Sequence, residues 1–571
     1  MRTLHTLAQK NKIIKDFFVF DTETNGLRAQ PDAFIFGAIY GWNFHKVLFS
    51  VEDFITEFKE SKYYNKKVFA HNAEYDLNVI YSNIYDLDPN AIFNNKFICA
   101  SNGNCLFADS TNIYPASVKK IGDLIKLEKL ETNQDFKDGT FEGTVSETDI
   151  KYCIRDCEII YNALFEIFNE VQSIKITIAG LSMTYFRRFY QKFHIDYNEK
   201  KIEKFYEGYY GGRTEAFFIG KTNACVYDVN SMYPYAMLNC KFPNPKFLKQ
   251  LHNVNVSRFS NYFLHKFEGT AKVKLFHVEH FFGYLPYRHK GKLLFPVGTF
   301  TGWYNFNELR FAISQGVVKI KKVYEIVYSE PMDTPFDNFV TDIYKKRKET
   351  TSELQKLFLK LLMNSLYGKF GQKIKSEIIY IKDIDKQFKE IQEYQRKKIL
   401  IKIIPFNSHR KDCHIEIKTK KSFLYHSIPV FSSYITSFAR VELLKLLIKY
   451  KKSGPLYCDT DSIFFKNDPE IKNSDEIGRF KKENKIVTEI RGLKNYSYIG
   501  ESRSIFDCIK GIPKNAEKKE GKYYYRTLIK TKEAVRRGKT AGVLVDRVKE
   551  LTGEYNKRII LNDGNTKPIK F

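Results

Sequence analysis

The sequence predicts a chain of several domains, of mixed α/β and α+β class. Its 571 residues are enough for three or more domains at roughly 150 residues each. Short apolar runs typical of buried strands end in acidic or polar turns, and a leucine-rich stretch without proline is typical of a long helix. Both kinds of element recur along the chain, which favours the mixed class over an all-helical or all-β protein.

The chain is basic and rich in aromatic residues. Lysine and arginine total 93 against 66 aspartates and glutamates, a formal net charge of +27, and there are 49 phenylalanines and 38 tyrosines. Positive charge suits phosphate groups and aromatic rings suit base stacking, so the composition favours a nucleic-acid partner. An AT-rich genome also favours Lys, Asn, Ile, Phe and Tyr, and composition alone leaves that alternative open.

The cysteines and the lack of long apolar runs indicate in which cellular compartment the protein is expected. The nine cysteines form no Cys-x₂-Cys pair and are odd in number, which predicts reduced thiols without a zinc site or a disulfide framework. Residues 1–15 lack a signal-peptide core, and no uncharged apolar run is long enough to span a membrane. We therefore expect a cytoplasmic protein, inside a host cell, with no membrane partner.

Three segments near the N-terminus place acidic residues where predicted elements end or turn. These residues are Asp21 and Glu23 after the apolar run 17–20, Asp76 after the run 68–70, and Tyr152 and Asp156 on one predicted helical face. Taken singly, each has a structural explanation as a cap, a turn or a surface helix. Together, the four carboxylates can hold two metal ions about 3.5–4 Å apart, with Tyr152 orienting a water that attacks a phosphodiester.

In order and spacing, these segments resemble the exonuclease motifs of family B DNA polymerases. Asp21-Thr22-Glu23 is similar to Asp-x-Glu, residues 72–76 to Asn-x₂₋₃-Phe/Tyr-Asp, and residues 152–156 to Tyr-x₃-Asp. The resemblance implies a ribonuclease H-like 3′→5′ exonuclease domain in which Asn72 contacts the single-stranded 3′ end. Residues 117–121 are loosely similar to a further strand-binding motif; a surface loop at Ser117 is the alternative.

Residues 209–212, Tyr-Tyr-Gly-Gly, interrupt a helical pattern. Two glycines let the backbone approach a ligand closely, and a simple loop is the alternative. The segment resembles the Tyr-x-Gly-Gly motif that links the exonuclease and polymerase domains of the family. The resemblance implies that Tyr209, Gly211 and Gly212 contact the template strand.

The strand-like run 225–229 carries Asp228 and leads into Asn-Ser-Met-Tyr-Pro. This stretch resembles motif A of the family, Asp-x₂-Ser-Leu-Tyr-Pro, with Met232 in place of leucine, an exchange that preserves bulk. The resemblance implies that Asp228 and the Val229 carbonyl bind metal. It also implies that Tyr233 packs under the incoming sugar and excludes a 2′-hydroxyl, which selects deoxynucleotides.

Residues 355–368 predict a helix that stops at Gly368. Its polar positions fall on one stripe opposite the leucines, and a solvated face is the ordinary explanation of such lysines. The stretch resembles motif B, Lys-x₃-Asn-Ser-x-Tyr-Gly. The resemblance implies that Lys356 and Lys360 grip the triphosphate and that Asn364 and Tyr367 line the nascent base pair. Either Arg347 or Lys348 upstream adds a nucleotide contact.

Residues 457–462, Tyr-Cys-Asp-Thr-Asp-Ser, place Asp459 and Asp461 one residue apart between apolar flanks. Two carboxylates on one side of an extended chain, at a strand tip or hairpin turn, need a cation. Oxygen ligands suit Mg²⁺ or Mn²⁺, while a plain β-turn is the alternative. The stretch resembles motif C. It implies that Asp228 and Asp461 bridge two ions per active site, with Asp459 as the supporting acid.

The remaining matches are shorter. Residues 432–440 are similar to the palm helix of the family, Lys494-Asn495-Tyr496 to the Lys-x-Tyr motif that holds the primer end, and residues 510–513 to the entry of the thumb. A bare tripeptide is a weak signal. The resemblance implies primer contacts by Lys494 and Tyr496.

Two long gaps between motifs narrow the subfamily. Each gap is longer than a bare palm and fingers need; the gaps are residues 229–359 and 369–456. The second gap carries the basic run 373–421. Protein-primed polymerases of phages and linear plasmids have their two terminal-protein regions there. The implied domains are the exonuclease 1–180, the palm 181–245 and 427–509, insertion one 246–335, the fingers 336–371, insertion two 372–426 and the thumb 510–571.

The implied activity is two-metal DNA synthesis with proofreading, primed by the hydroxyl of a terminal protein, processive and strand-displacing, on a viral or linear plasmid genome. The expected partners are primer-template DNA, single-stranded DNA, deoxynucleoside triphosphates and the terminal protein, with the chain itself a monomer. A primer-independent polymerase of the same family, a reverse transcriptase or RNA polymerase, and a non-enzymatic DNA-binding protein remain as alternatives.

Overall fold

The structure, a computed structural model, describes residues 1–571 except 11, 95, 374–375, 406–410, 419–423, 502, 514, 538 and 552–554. Helices and strands are mixed throughout these ranges, with two seven-stranded sheets and several smaller ones. Within the same ranges, no helix is long and apolar enough to cross a membrane.

The first seven-stranded sheet belongs to the N-terminal part of the chain. Its strands lie in the spatial order Phe44–Leu48, Phe34–Gly41, Phe17–Thr24, Lys67–Ala70, Leu106–Asp109, Lys96–Ser101 and Ile92–Asn94. The three central strands, Phe17–Thr24, Lys67–Ala70 and Leu106–Asp109, run parallel. The strand predicted to stop before Asp21 continues to Thr24, because Phe34–Gly41 pairs with it along its whole acidic end. Asp21 and Glu23 therefore lie within a strand, beyond the end of its parallel neighbour.

Helix Glu147–Val171 covers this sheet and carries Tyr152 and Asp156. It begins at a capping box, since the Asp149 carboxylate accepts from the Ser146 N–H and hydroxyl while the Ser146 hydroxyl accepts from the Asp149 N–H. The other helices of this part are Val51–Glu57, Glu74–Tyr81, Ile84–Leu87, Val118–Ile125, Gln134–Asp138 and Ile178–Tyr185, with 3₁₀ turns at Pro31–Ala33, Ser61–Tyr63 and Ser110–Asn112. The boundary predicted at residue 180 would cut the helix Ile178–Tyr185.

The second seven-stranded sheet, called the central sheet below, is antiparallel. Its strands lie in the order Thr214–Ala216, Pro455–Asp459, Ser462–Phe465, Gly220–Val229, Phe480–Gly492, Asn495–Ile499 and Ile505–Ile509. In this sheet, the two strands from residues 214–229 lie among the five strands from residues 455–509. The sheet thus joins two parts of the chain that are far apart in sequence.

Helices pack beside the central sheet. They are Glu199–Ile202, Met232–Asn239, Asp337–Glu349, Glu353–Phe370 and Pro429–Lys449, with π-helical Phe186–Tyr190 and 3₁₀ turns at Glu203–Tyr206 and Lys451–Ser453. The prediction that the motif B helix stops at Gly368 is wrong, since it continues to Phe370. The Phe370 ring is buried against Phe186, Phe336 and Phe431, and that burial outweighs the roughly 1 kcal/mol that a helical glycine costs.

The predicted insertions each contain a sheet. Insertion one has an antiparallel sheet in the order Lys249–His252, Val318–Ser329, Glu268–His277 and Gly298–Asn305, a hairpin of Tyr287–His289 and Lys292–Leu294, helices Val256–Arg258, Leu264–Lys266 and Phe306–Ser314, and π-helical Phe259–Phe263. Insertion two has strands Glu377–Ile381, Cys413–Ile417 and Leu400–Pro405 and helix Phe388–Arg396. Parts of the predicted basic run, residues 374–375, 406–410 and 419–421, lie outside the described residues.

The C-terminal part returns to earlier regions of the chain. It has strands Glu517–Lys519, Lys522–Leu528 and Leu544–Glu550, helix Thr531–Arg537, and a hairpin of Arg558–Ile560 and Thr566–Pro568. Two short pairs tie distant segments together, Arg2–Leu4 with Ile195–Tyr197 and Phe242–Pro243 with Pro331–Met332. The largest buried cluster runs through the helix-rich middle of the molecule, and a second fills one side of the N-terminal sheet.

Candidate active sites

The motif C segment forms a tight hairpin. Strands Pro455–Asp459 and Ser462–Phe465 pair with Asp459 opposite Ser462, so that Thr460 and Asp461 make the turn. Thr460 has a φ of 64°, and Asp461 therefore leaves the extended conformation that we expected for both acids. The predicted hairpin is present, but the turn rather than strand alternation sets the direction of Asp461.

Asp228 lies beside this turn. Its strand pairs with Ser462–Phe465 so that Asp228 faces Ser462, and the Val229 N–H donates to the Asp461 carbonyl at 2.8 Å. Burial, followed by the charges of Asp228 and Asp459, raises the pKa of Asp461 to about 7. Burial and the charge of Glu483 raise the pKa of Asp228. The structure thus brings Asp228 and Asp461 together, in an arrangement where burial and nearby negative charge disfavour the ionisation of these two carboxyl groups.

The three acids of this site have different neighbours. The Lys494 ammonium lies 3.2 Å from the Asp459 carboxylate, and the Thr214 hydroxyl donates to the same carboxylate at 3.1 Å. Asp459 is thus held by protein groups, which suits a supporting acid. The oxygen donors of Asp228, Val229 and Asp461 fit a hard divalent cation such as Mg²⁺ or Mn²⁺ rather than zinc.

Residues 209–212 lie against the motif C turn. The Arg440 guanidinium donates to the carbonyls of Tyr210 at 2.6 Å and Gly211 at 2.9 Å, which fixes the segment to helix Pro429–Lys449. A Cβ on Gly212 would come within 2.8 Å of the Thr460 hydroxyl, whereas one on Gly211 would meet open space. Gly212 is therefore needed for close packing on Thr460, and Gly211 leaves the surface of the segment free.

Tyr233 and Tyr367 meet beside the same carboxylates. Tyr233 lies in the first turn of helix Met232–Asn239, which begins after Ser231 in the left-handed region at a φ of 52°. Its ring stacks on that of Tyr367 with centroids 4.3 Å apart. Burial raises the pKa of Tyr233. The two rings form a wall next to the acids, at the place predicted for the sugar and base of an incoming nucleotide.

A basic cavity of about 560 Å³ opens beside helix Glu353–Phe370. Lys356 and Lys360 line it, as do both Arg347 and Lys348, and Asn230 and Ser231 close it on the motif A side. Asn364 lies farther along the same helix and is exposed. Lys120 from helix Val118–Ile125 also lines the cavity, a contribution that the sequence did not reveal because that helix lies far away in the chain.

The Lys494-Asn495-Tyr496 segment leads into strand Asn495–Ile499, which two strands of the central sheet separate from the motif C hairpin. The Lys494 N–H donates to the Tyr457 hydroxyl at 3.1 Å, and the Tyr496 ring lies 5.1 Å from that of Phe464. These contacts anchor the segment to the motif C hairpin, with the Lys494 side chain half exposed. A tripeptide that was weak evidence in the sequence thus lies in contact with the candidate site.

A second cluster of acids lies on the N-terminal sheet. Burial, followed by the charges of Asp76, Glu23 and Asp156, raises the pKa of Asp21 well above its usual value. Burial, followed by Asp156, raises the pKa of Glu23 to about 8, and burial raises the pKa of Asp76 to about 7. Asp76 is held in place by the Thr22 hydroxyl at 2.8 Å. The four predicted acids therefore form one site.

Lys129 reaches into this second cluster. Its ammonium donates to the Tyr152 hydroxyl at 2.8 Å and forms a close ion pair with Asp156. Burial lowers and Asp156 raises the pKa of Lys129, with a net rise to about 12. The sequence reasoning missed this lysine, because no motif or spacing separates it from the other lysines of the chain.

The second cluster fits a cation held by oxygen atoms. The Oδ1 atom of Asp156 is buried without a hydrogen-bond partner among the described residues, and Asp21 and Glu23 offer further carboxylate oxygens near the Cys153 sulfur. Burial raises the pKa of Cys153 well above its usual value, so the thiol stays protonated and is a poor ligand. The carboxylates, rather than Cys153, are thus the groups suited to a metal.

Asn72 lies at a junction with the C-terminal part of the chain. With a φ of 75°, it lines a cavity of about 300 Å³ together with Tyr75 and residues 526–530. The Thr531 N–H donates to the Glu74 carboxylate at 2.8 Å. Ser117, which had a surface loop as its alternative, caps helix Val118–Ile125 by accepting from the Lys120 N–H.

Comparisons with known proteins agree with this architecture. The family "DNA polymerase type B, organellar and viral" matches residues 109–452. The DNA-directed DNA polymerase of Enterobacteria phage PRD1 is 28% identical over 479 residues, covering 79% of this chain and 75% of that protein. A probable DNA polymerase of Podospora anserina is 26% identical over 356 residues but is covered for only 28% of its length.

The solved structures extend the likeness to the whole fold. Phi29 DNA polymerase complexed with primer-template DNA and incoming nucleotide substrates aligns with a TM-score of 0.69 at 16% identity, covering 95% of this chain and 100% of that one. The same polymerase in an orthorhombic crystal form aligns with a TM-score of 0.65 at 15% identity, covering 97% of this chain and 98% of that one. Identities this low establish the fold alone, and the predicted fold class is confirmed.

Proposed function

The chain belongs to the organellar and viral type B DNA polymerases and is a DNA-directed DNA polymerase, and from that premise we propose that it carries two metal-dependent active sites. One, at Asp228 and Asp461, extends a primer strand. The other, at Asp21, Glu23, Asp76 and Asp156, removes nucleotides in the 3′→5′ direction. The observation that carries the proposal is the contact between the motif A strand and the motif C turn, two segments far apart in sequence.

In the polymerase site, Asp228, the Val229 carbonyl and Asp461 would hold two Mg²⁺ ions, with Mn²⁺ as a substitute. These ions would lower the pKa of the primer 3′-hydroxyl and neutralise the triphosphate and the pyrophosphate leaving group. Asp459 keeps Lys494 beside the site, where Lys494 and Tyr496 hold the primer end. Tyr209, Gly211 and Gly212 contact the template strand.

The incoming nucleotide occupies the space between the palm and helix Glu353–Phe370. Lys356 and Lys360 bind its triphosphate in the basic cavity, where both Arg347 and Lys348 are placed to contribute. Tyr233, backed by Tyr367, excludes a 2′-hydroxyl, and Asn364 lies with Tyr367 along the nascent base pair. Each residue thereby acts on a separate part of the nucleotide.

In the exonuclease site, the four carboxylates would hold two divalent ions, as the oxygen-only donor set allows. Burial, followed by Asp156, raises the pKa of Tyr152 to about 12, so its hydroxyl stays protonated and donates to the attacking water. Lys129 offsets part of the negative charge of the cluster. Asn72, at the junction with the thumb, contacts the single-stranded 3′ end.

The proposal extends to priming by a terminal protein, with residues 246–335 and 372–426 as the two regions inserted for that purpose. Insertion two reaches the exonuclease domain, where the His414 ring contacts the Pro89 carbonyl, and its strand Leu400–Pro405 contacts the thumb helix Thr531–Arg537. We propose that these contacts help to close a channel around the DNA, which would favour processivity and strand displacement. We propose that the chain acts as a monomer, inside the host cell, on a viral or linear plasmid genome.

The two active sites can be separated by substitution. Asp461→Ala or Asp459→Ala should abolish primer extension while single-stranded DNA is still degraded, and Asp21→Ala combined with Glu23→Ala should do the opposite. Extension and degradation are followed on one labelled primer-template with Mg²⁺. Loss of both activities in a variant that remains folded would contradict the assignment of two sites. Transfer of one labelled deoxynucleotide to a candidate terminal protein tests the priming step.

A further inference from the structure

Three charged side chains are buried behind the motif C hairpin. Arg213, Glu215 and Arg558 are each at most 2% exposed. Glu215 forms a close ion pair with Arg213, and the Arg558 guanidinium donates to the Glu215 carboxylate at 3.1 Å. We call these three residues the buried triad. Arg213 directly follows the segment 209–212, and the sequence predicted a metal, nucleotide or DNA contact for none of the three.

The buried triad has two guanidinium groups but only one carboxylate, so one positive charge is left over. Carbonyl oxygens and aromatic rings compensate it. Arg213 donates to the Gly283 carbonyl at 2.9 Å, and Arg558 donates to the Phe281 carbonyl at 2.7 Å. The Arg213 guanidinium also lies 4.3 Å from the Phe295 ring centroid. Burying ions without such partners is costly, and removing one partner leaves the others uncompensated. Each member of the triad therefore holds its neighbours in one arrangement.

The buried triad touches the backbone of the catalytic turn. The Thr460 N–H donates to the Arg213 carbonyl at 2.7 Å. In the pairing of strands Thr214–Ala216 and Pro455–Asp459, Glu215 lies opposite Cys458 and Thr214 opposite Asp459. The turn that carries Asp461 is thus hydrogen-bonded to a backbone whose position the buried charges fix.

The triad also joins three separate parts of the chain. Arg213 directly precedes strand Thr214–Ala216 and Glu215 lies within it. Arg558 begins the C-terminal hairpin, and the two acceptor carbonyls belong to residues 281–283 of insertion one. The Tyr555 hydroxyl, three residues before the hairpin, accepts from the Ala216 N–H at 3.0 Å and adds a second tie between the C-terminal part of the chain and the strand. Movement of the insertion or the hairpin is therefore transmitted to the turn.

We propose that Arg213, Glu215 and Arg558 are positioning residues for polymerisation, which hold the Thr460-Asp461 turn in register with Asp228 and tie it to insertion one. The proposal rests on the assignment of Asp461 to the polymerase site. Displacements of about 1 Å can cost a hundredfold in rate, so loosening this support lowers the rate of nucleotide transfer more than the affinity for nucleotide or DNA.

The test compares Glu215→Gln and Arg558→Lys with the wild type. Glu215→Gln keeps the shape of the side chain but removes the charge between two arginines, and Arg558→Lys keeps the charge but loses most of the donors. Arg310→Lys is the matched control, because Arg310 pairs with Glu268 at 3.0 Å and also donates to the Leu264 carbonyl, within insertion one but away from motif C.

Three quantities are measured for each variant: kcat and KM for a deoxynucleotide, the rate of 3′→5′ degradation of single-stranded DNA, and hydrogen–deuterium exchange of the peptide containing Thr460. We expect Glu215→Gln to lower kcat at least tenfold with KM and degradation within twofold of the wild type, and to speed exchange at Thr460. Arg558→Lys should show a smaller change of the same kind, and Arg310→Lys none.

If kcat and the exchange at Thr460 are both unchanged, the proposal is overturned. It is also overturned if kcat falls but the rate of degradation, and kcat of the control variant Arg310→Lys, fall by the same factor. If Glu215→Gln does not fold, Arg558→Lys decides by the same criteria. The Asp461→Ala variant separates this outcome from a failure of the site assignment. If Asp461→Ala still extends primers, the assignment of Asp461 to the polymerase site is refuted. If Asp461→Ala is inactive while Glu215→Gln is unaffected, only the role of the triad is refuted.

Discussion

The aromatic rings of Tyr233 and Tyr367 stack with their centroids 4.3 Å apart and an angle of 29° between their planes. One ring belongs to the first turn of helix Met232–Asn239, within motif A, and the other to helix Glu353–Phe370. Stacked rings of this geometry stabilise each other beyond the burial of their area. Tyr367 therefore fixes the position of the ring that we propose as the sugar gate.

Replacement of this gate should relax sugar selection. Tyr233→Val removes the ring that would meet a 2′-hydroxyl, and we expect the ratio of ribonucleotide to deoxynucleotide incorporation to rise by about 10- to 100-fold, or roughly 1.4–2.7 kcal/mol of discrimination. Tyr367→Phe keeps the stacked ring and should leave the ratio near that of the wild type. Single-nucleotide incorporation kinetics measure both, and an unchanged ratio in Tyr233→Val would place the gate elsewhere.

Lys129 should matter for degradation and not for synthesis. Its ammonium holds both the Tyr152 hydroxyl and the Asp156 carboxylate, and hydrogen bonds to charged groups contribute about 1.5–3 kcal/mol. Lys129→Ala should slow degradation of single-stranded DNA by about 10- to 100-fold. Lys129→Arg, which keeps the charge, should retain more activity, and primer extension should be unaffected by either change. Equal loss in both variants would mean that charge is not what Lys129 supplies.

The crowded carboxylates of the proposed exonuclease site should make stability depend on pH. Burial, followed by Asp156, raises the pKa of Glu23 to about 8, and burial raises the pKa of Asp76 to about 7, whereas their usual values are near 4. The folded state thus binds more protons than the unfolded state between about pH 4 and 8, and the stabilisation from these groups falls as pH rises through that range.

We therefore expect Asp21→Asn combined with Glu23→Gln to be more stable than the wild type without divalent metal, by a margin in Tm that grows from pH 5.5 to pH 8.5. Added Mg²⁺ should stabilise the wild type more at the higher pH, because it binds the ionised carboxylates. Thermal unfolding in a chelator and in Mg²⁺ measures both effects. A margin that is constant with pH would contradict repulsion among these carboxylates.

Gly212 should be required because a larger side chain at this position would clash with the motif C turn. A Cβ at this position would lie 2.8 Å from the Thr460 hydroxyl and 3.0 Å from its methyl group. Gly212→Ala should lower kcat of extension by about tenfold, equivalent to roughly 1.4 kcal/mol in the transition state. Adding Thr460→Ser, which removes the methyl group, should restore part of the rate.

Gly211→Ala serves as the comparison for Gly212→Ala. A Cβ on Gly211 meets no atom within 4 Å, so this change causes no clash within the protein and tests the proposed contact with the template strand. It should raise the Kd for primer-template and leave kcat at saturating DNA near the wild-type value. The same loss of kcat in both variants would contradict the steric explanation.

Local patterns in the sequence predicted many single elements of this protein. The strand at Phe17–Phe20, the hairpin around Asp459 and Asp461 and the leucine-rich fingers helix each carry a pattern that can be recognised from residues close in the chain. The predictions that failed were those of element ends. The first strand continues to Thr24 because a neighbouring strand pairs with it, and the helix continues through Gly368 because Phe370 is buried.

By itself, the sequence determined which acids, lysines and tyrosines are available, their spacing within each strand, turn or helix, and their likeness to one family. Only the tertiary structure decided which of them meet. Lys129 and Lys120 became part of two sites, and Arg558 became the partner of Glu215, through the packing of segments far apart in the chain. Burial and neighbouring charge set the pKa values and the pairings, and both are long-range properties that no local spacing encodes.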